Sequence, residues 1–347
     1  MKKILLSLTI ITALFCGKTY AGNPDRIGEA GATHLLINPW ARSSGWGGAF
    51  TAGVTGVEAM RFNVAGLVGS PNNELTFSRT NWFQGADINI NSFGFKTKLG
   101  TDAALGFTIM SFDMGEFVKT TENFPDGTLG TFSPSYTNIG VSFAYKFSDQ
   151  TSGGVTLRLV SEAINDMNAM GVAIDAGIQY KSYDQKFYLG FALRNVGPAM
   201  QYSGNGVDIR VTEEGLLNPT ARTMKSRVAP FELPSILNIG IGYDVLDFGL
   251  GSGLTIAGNF VANSFGRDII TAGVEYSYRD MVMLRGGFAY EQNIFDDVIS
   301  TTEVSGPSAG ATFQLPYGDG QNFGIDYSYR LTRTYNGVHS LGVLLTF

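Results

Sequence analysis

The residue types that carry most catalytic chemistry are scarce in this chain. It has two histidines, His34 and His339, and a single cysteine, Cys16. Neither histidine has Cys, His or Glu at metal-ligand spacing, which argues against a metal centre. No sequence motif identifies a nucleophile that could act with His339, which argues against a Ser–His hydrolase. We therefore predict a protein that is not an enzyme and that uses no metal and no cofactor.

A glycine-rich stretch at Gly45-Trp46-Gly47-Gly48 superficially suggests a phosphate-binding loop. That interpretation fails because no Lys-Ser/Thr pair follows and no βαβ unit surrounds the stretch. Nucleic acid is also an unsuitable partner, because 24 basic residues face 30 acidic ones and no basic cluster exists to neutralise phosphates. These glycines therefore need a structural explanation.

The first 21 residues have the pattern of a secretory signal peptide. Two lysines precede an apolar stretch over residues 4–15, and Ala21 offers a small residue at a cleavage site. The bulky side chain before Cys16 argues against a lipoprotein site. Cleavage after Ala21 would remove the only thiol and leave a net charge of about −9.

Composition argues against an ordinary soluble protein. Charged residues make up 16% of the chain, compared with about 25% in typical globular proteins, and 45 positions are glycine. No apolar run of about 20 residues follows the N-terminus, which excludes a membrane-spanning helix by length. Any membrane span must then be a closed barrel, because lipid offers no hydrogen-bond partner to an open sheet edge.

Alternation with a period of two is the main pattern from residue 73 onward. In residues 137–147, bulky apolar side chains such as Val141 and Phe143 fall on one face, and small ones such as Gly140, Ser142 and Ala144 fall on the other. A soluble sandwich also alternates, but its polar face usually carries more charge. About 14 such segments lie near residues 73–82, 86–98, 102–113, 136–147, 153–162, 170–182, 186–197, 234–245, 252–263, 267–279, 281–291, 306–315, 322–331 and 338–347. The sequence therefore predicts an all-β, transmembrane antiparallel β-barrel.

The connections between these segments differ in length on the two sides of the predicted barrel. Those after even-numbered strands are short, whereas three of the others are long, at 114–135, 198–233 and 292–305. Short periplasmic turns and long extracellular loops are typical of outer-membrane barrels, so both termini should face the periplasm. The alternating C-terminal strand that ends at Phe347 resembles the recognition signal of barrel insertion machinery.

We divide the chain into a signal peptide (1–21), a plug or hatch segment (22–70) and the barrel (71–347). About 49 residues precede the first strand, and they combine many glycines with Trp40, Trp46 and an apolar run at 35–37. A 14-strand barrel is wider than an eight-strand barrel that its own side chains fill. Small lumenal residues would leave room for this segment.

Two motifs in the plug segment resemble the N-terminal signature of the PorV/PorQ family of outer-membrane proteins, which are similar to long-chain fatty-acid transporters. Residues 41–49 match the family pattern Ala-Arg-x-x-Gly-x-Gly-Gly-Ala, and residues 63–67 match Asn-Pro-Ala-Gly-Leu except that Val64 replaces proline. Further matches occur at 173–177, 193–198 and 232–234. The resemblance covers nearly the whole chain after the signal peptide.

This resemblance implies an outer membrane of Bacteroidota and a link to the type IX secretion system. The best-known members accept secreted proteins from the translocon. It also implies that the signature residues fold and seat the plug, with glycines providing backbone freedom and two polar side chains satisfying lumenal groups. These residues are Arg42, Gly45, Trp46, Gly47, Gly48, Asn63 and Gly66.

Other candidate sites follow from parity and from the loops. Asp175 and Arg194 face the lumen on neighbouring strands, so we predict an interior ion pair or a ligand contact. The aromatic loop 114–135 is a candidate lid or partner surface. Partner-binding candidates are Phe117, Phe124 and Phe132 in that loop, and Leu216 and Leu217 in loop 198–233.

Three functional hypotheses remain. The first is a plugged, non-enzymatic barrel that contacts outer-membrane lipid and a secretion translocon or secreted protein. The second is an outer-membrane transporter for a hydrophobic, fatty-acid-like ligand, in which the plug is a movable hatch. The third is a structural barrel that scaffolds a surface complex. Saturable binding of a fluorescent fatty acid would favour the second hypothesis.

Overall fold

The computed structural model describes residues 22–70, 72–121, 123–212, 221–296, 298–318 and 320–347. The predicted signal peptide and the candidate residues Leu216 and Leu217 lie outside these ranges. Among the helices of the described residues, none combines the length and the apolar character that crossing a membrane requires.

The wall is a closed barrel of antiparallel strands, which confirms the predicted fold class. Across the described ranges it has 14 strands, and each pairs with its neighbour in chain order until β14 pairs with β1. The strands are β1 Glu74–Trp82, β2 Ile88–Leu99, β3 Ala103–Asp113, β4 Ser135–Lys146, β5 Thr151–Ile164, β6 Met167–Lys181, β7 Phe187–Val196, β8 Ile236–Gly249, β9 Ser252–Asn263, β10 Ile269–Tyr278, β11 Val282–Glu291, β12 Val304–Gly318, β13 Gln321–Thr332 and β14 Val338–Thr346.

The two rims of the barrel differ in their connections. At one rim, which we call the turn end, the strands are joined by two to five residues, and β1 begins and β14 ends there. At the other rim, the loop end, the longest connections are 114–134, 197–235 and 292–303. Short additional strands lie in the first two of these loops, at Phe117–Val118, Thr131–Phe132, Ser203–Gly204, Asp208–Thr212 and Ala221–Lys225, with a 3₁₀ turn at Asn205–Val207.

Alternating side chains give the wall two chemically different faces. In β1, Thr76, Ser78 and Thr80 are buried toward the lumen, whereas Phe77 is 45% exposed on the outside. Each strand from β3 to β8 also carries at least one exposed Leu, Ile, Val, Phe or Tyr side chain on its outer face. An apolar exterior around a more polar interior is the pattern that suits a barrel in lipid.

Residues 22–70, which we call the inner segment, pack against the inward faces of the strands. The inner segment contains two short helices, α1 Ala41–Gly45 and α2 Ala59–Phe62, and 3₁₀ turns at Pro24–Arg26, Thr33–Leu36, Gly56–Glu58 and Val64–Gly69. Helix α1 lies against β12 and β13, and the turn at 64–69 lies against β4, β5 and β6. The inner segment therefore occupies part of the lumen.

The inner segment runs through the lumen from one rim to the other. Near its start, the Asn23 backbone N–H donates to the Asn263 carbonyl at the loop end of β9 (3.3 Å), and Ala30 forms a parallel bridge with Glu232 of loop 197–235. Its last residues lead directly into β1 at the turn end. Residues 22–35 therefore belong to the loop end, although the first strand starts at the opposite rim.

Candidate functional site

The inner segment separates two cavities of the lumen, and a third, of about 360 Å³, lies among the connections at the turn end. The outer cavity, near the loop end, has a volume of about 540 Å³ and the inner cavity, nearer the turn end, one of about 210 Å³. Gly48 and Phe62 of the inner segment line both, so this segment forms the partition between them.

Apolar side chains form most of the surface of the outer cavity. Ile37 and Phe62 of the inner segment face Trp82 of β1 and a set of aliphatic residues from β8 to β12 and the connection after β11: Ile236, Val261, Ile269, Ala289, Ile294 and Val304. The guanidinium of Arg330 stacks over the Trp82 ring at 4.9 Å, and one of its nitrogens donates to the Asn38 carbonyl (3.3 Å). A concave, largely apolar wall with a few polar groups is the usual form of a small-molecule site.

The polar part of the outer cavity is a strip on adjacent strands. Arg194 of β7, Asn238 of β8 and Asn259 of β9 all face inward and are at most 5% exposed. The Asn259 amide donates to the Asn238 oxygen at 3.2 Å. Within the described ranges, Arg194 Nε and one of its Nη atoms have no hydrogen-bond partner, and neither does the Asn238 amide nitrogen.

The inner cavity has a charged wall. Arg42 of the inner segment donates to Asp326 of β13 (3.1 Å), and Arg285 of β11 forms an ion pair with Glu275 of β10 while lying 4.0 Å from Asp326. Glu58 accepts a hydrogen bond from the Ser43 backbone N–H at 2.9 Å. This network fastens helix α1 to the wall.

The ionisation of Glu58 is sensitive to this environment. Burial, followed by the nearby charge of Asp326, raises the pKa of Glu58 to about 7, although Arg42 opposes the shift. For Arg42, burial acts to lower the pKa, but the negative charges of Asp326 and Glu58 outweigh it and the pKa is raised. Glu58 is therefore a group of the inner segment whose charge changes near neutral pH.

The signature residues of the plug lie where the inner segment meets the wall or turns. Gly47 and Gly48 have φ of +63° and +80°, values that favour glycine, and Trp46 stacks on Phe50 with ring centroids 4.7 Å apart. A Cβ on Gly45 would lie 2.9 Å from the Gly310 backbone of β12. The close approach of helix α1 to the wall thus depends on small residues.

The second motif has a comparable role. The Asn63 side chain donates to the Ile178 carbonyl of β6 (3.0 Å) and accepts from the Ala65 backbone N–H (3.2 Å), which caps the following 3₁₀ turn. A Cβ on Gly66 would overlap the Val54 carbonyl oxygen. These positions agree with a role in seating the segment, which remains a prediction.

The predicted ion pair between Asp175 and Arg194 does not form. Asp175 instead accepts from Arg158 of β5 at 2.6 Å and from the Asn195 backbone N–H at 2.7 Å. The reason is the register: Arg158 is diagonal to Asp175 across the β5–β6 pair, within reach of a long side chain, whereas a bulge after Ile174 interrupts the β6–β7 pairing. Arg194 lines the outer cavity instead.

The two histidines have different surroundings. His34 is buried, with Nδ1 3.2 Å from Glu162 of β5 and Nε2 3.1 Å from the Asn138 oxygen of β4, while Tyr202 of loop 197–235 donates to the same glutamate. These contacts join the inner segment, the wall and the loop. His339 lies on the outer face, where Nδ1 is 2.8 Å from the Tyr327 hydroxyl. In the described residues, no group of three or more His, Cys, Asp or Glu side chains could hold a metal ion.

The predicted partner residues in loop 114–134 are only partly brought together. Phe117 and Phe132 pair in a small hairpin with ring centroids 5.7 Å apart, and Phe117 is 48% exposed. Val118, Phe124 and Leu129 are also exposed in this loop. The hairpin projects apolar surface at the loop end and does not line the outer cavity.

Sequence reasoning selected Arg42 and Arg194 but missed most of the polar groups around them in the two cavities. Arg285 and Asp326 fall at inward positions of predicted strands, so parity alone could have placed them in the lumen. Asn238 and Asn259 could have been found in the same way. Trp82 is the last residue of the first predicted strand. Its place in the wall of the outer cavity depends on the path of the inner segment, which has no periodic pattern that would predict it.

Comparisons with known proteins give a structural but not a sequence relationship. No protein-family model matches the chain, nor does any curated protein sequence. Among solved structures, it is similar to the CymD monoaromatic hydrocarbon channel (TM-score 0.56, 14% identity, covering 90% of this chain and 98% of that one). It is also similar to the Pseudomonas putida toluene transporter TodX (TM-score 0.56, 15% identity, 89% and 98%) and to a Pseudomonas aeruginosa FadL homologue (TM-score 0.50, 13% identity, 88% and 96%). At this identity the likeness shows that the chain shares their fold.

Proposed function

We propose that this chain is an outer-membrane channel for hydrophobic solutes, with the outer cavity as its binding site and the inner segment as a hatch. The observation that carries the proposal is the outer cavity itself, about 540 Å³ of mainly apolar space near the loop end of a barrel with an apolar exterior. The structural similarity to hydrocarbon and FadL-type channels supports the same function.

Binding in this cavity would follow from the hydrophobic effect. Each square ångström of apolar surface removed from water contributes about 25 cal/mol, so even a compact solute enclosed by Trp82, Ile37 and Val261 gains several kcal/mol. The lining comes from β1, β7 to β13 and the inner segment, so the cavity is a broad chamber. A neutral aromatic or aliphatic solute fits such a wall.

Passage beyond the cavity requires the inner segment to move. Phe62 and Gly48 separate the outer from the inner cavity, and the ion pair of Arg42 with Asp326 holds helix α1 against the wall. We propose that solute transfer follows displacement of this partition. The wall itself, with a continuous ladder of strands, stays in place.

A reversible disulfide tests the hatch. An added Cβ at Gly342 of β14 would lie 3.2 Å from the Ala41 Cβ, slightly closer than the roughly 3.5–4.5 Å between the Cβ atoms of a disulfide. We expect the double variant Ala41→Cys, Gly342→Cys to block entry of N-phenyl-1-naphthylamine into proteoliposomes when oxidised and to restore it when reduced. The single variant Ala41→Cys, treated in the same way, is the matched control. Unchanged flux through the oxidised, cross-linked protein would contradict the hatch.

A second candidate function is the secretion partner implied by the PorV/PorQ resemblance. The observation in its favour is the exposed apolar hairpin of loop 114–134, with Phe117, Val118 and Leu129. Under this hypothesis, purification of the tagged protein from gently solubilised native membranes recovers a translocon or secreted proteins with a shared C-terminal domain. Replacing Phe117 and Val118 by serine would reduce that recovery. Purification of a barrel that carries only lipid would argue against it.

A further inference from the structure

Arg194 differs from the other buried arginines of the lumen. Arg158 has the Asp175 carboxylate at 2.6 Å, and Arg285 has Glu275. Arg61 donates to the carbonyls of Leu35 and Ile37. Arg330, which lines the outer cavity as well, stacks over Trp82 and donates to the Asn38 carbonyl. Arg194 is just as buried, with 5% of its surface exposed, yet two of its nitrogens lack a partner in the described part of the chain. A guanidinium keeps its charge in proteins, so this is a buried cation without a protein anion beside it.

The position of this cation is as informative as its lack of a partner. Arg194 lines the outer cavity, and its neighbours across β8 and β9 are the inward amides of Asn238 and Asn259. The Asn238 amide nitrogen also has a free donor among the described residues. Arg194 and Asn238 therefore bring unpaired N–H donors to one side of a cavity whose remaining wall is mainly apolar.

Acidic side chains of the outer cavity are kept apart from this strip. Glu291 of β11 accepts from Thr301, and Glu303 accepts from the Thr334 backbone N–H and hydroxyl. Both belong to the opposite part of the wall, four or more strands away from β7. The carboxylates of the cavity thus lie away from Arg194, on the part of the wall that also carries Arg330.

We infer that the outer cavity selects amphipathic organic anions, with one oxyanion group on Arg194 and Asn238 and an apolar body against Trp82 and the aliphatic wall. The inference rests on the proposed function, because it specifies the solute class of the same site. Arg194 is then the specificity-determining residue. It sets this chain apart from a channel for neutral hydrocarbons, because a hydrogen bond to a charged group is about twice as strong as one between neutral groups.

Two probes that differ by a single group test the inference on the full-length purified protein in an uncharged detergent. The anion 8-anilino-1-naphthalenesulfonate and the neutral N-phenyl-1-naphthylamine share the same ring system, and only the first carries a sulfonate. Energy transfer from the lumenal tryptophans reports bound probe. We expect Arg194→Met to weaken binding of the anion at least 10-fold and to change binding of the neutral probe less than twofold. Arg194→Lys should retain most of the affinity for the anion.

A charge-matched control separates the site from a general loss of positive charge. Arg79 is exposed on the outer face of β1, and Arg79→Met should leave both affinities unchanged. If Arg194→Met leaves the ratio of the two affinities as in the wild type, the inference is overturned while the proposed function stands. If neither probe binds saturably to the wild type, the proposed function itself is overturned, and the inference with it.

Discussion

The outer and inner cavities are separated by the same few residues but are lined by opposite chemistry. In the inner cavity, cations and anions are paired with one another: Arg42 with Asp326, and Arg285 with Glu275. In the outer cavity, the wall is mainly apolar and Arg194 faces it without a partner among the described residues. Paired charges hold a structure together, whereas unpaired ones are available to a ligand. The difference agrees with the roles proposed above, in which the inner cavity fastens the hatch and the outer cavity receives the solute.

The largest expected effect comes from breaking the inner network at Asp326. Asp326→Asn removes the charge that Arg42 and Arg285 share, and leaving a buried ion without its partner costs about 3 kcal/mol. We expect hydrogen exchange in residues 41–62 to become at least 50-fold faster, while the strands keep their protection. Ser328→Ala, at the next inward position of β13, is the control and should change nothing. Equal protection in both variants would show that the network does not hold the hatch.

An intermediate effect is expected from filling the outer cavity. Val261 of β9 lines it, and Val261→Trp would occupy space that a solute needs. The affinity for N-phenyl-1-naphthylamine should fall about 10-fold, since tenfold corresponds to about 1.4 kcal/mol of lost contact. Phe260→Trp, one residue earlier and on the outer face, should bind the probe normally. If both variants bind equally well, the solute binds elsewhere.

The smallest effect concerns the charge of Glu58. Its pKa is raised to about 7 in the folded chain, above the usual value of 4.5, so the seated inner segment is favoured at low pH. This contribution is complete below about pH 4.5 and is lost as the pH rises through about 7. Between about pH 6.5 and 7.5, protection of residues 41–62 should fall about threefold after correction for intrinsic exchange. Glu58→Gln keeps the acceptor for the Ser43 N–H and should abolish the pH dependence; a dependence that persists would point to another group.

The strands could be predicted closely from sequence because lipid outside and a partly filled lumen inside impose alternation along every strand. Residues 139–147, for example, alternate strictly and lie almost entirely in β4. The partner of Asp175 could not be predicted, because a bulge changes the pairing of β6 with β7 and parity says nothing about diagonal neighbours. The outer cavity was missed for a different reason. Its shape depends on an inner segment of short turns, whose path is set by contacts with distant strands such as β6 and β12.

The path of the inner segment also has a consequence for how the molecule is built. Residues 22–35 reach the loop end through the lumen, where Ala30 bridges to Glu232, while β1 starts at the turn end. The N-terminal part of the chain therefore passes through the barrel that the rest of the chain forms. Either the segment is drawn through a finished barrel, or the seam between β1 and β14 closes around a segment that is already in place. In the second order, the pairing of β1 with β14, from Glu74 with Thr346 to Asn81 with His339, is the final step of assembly.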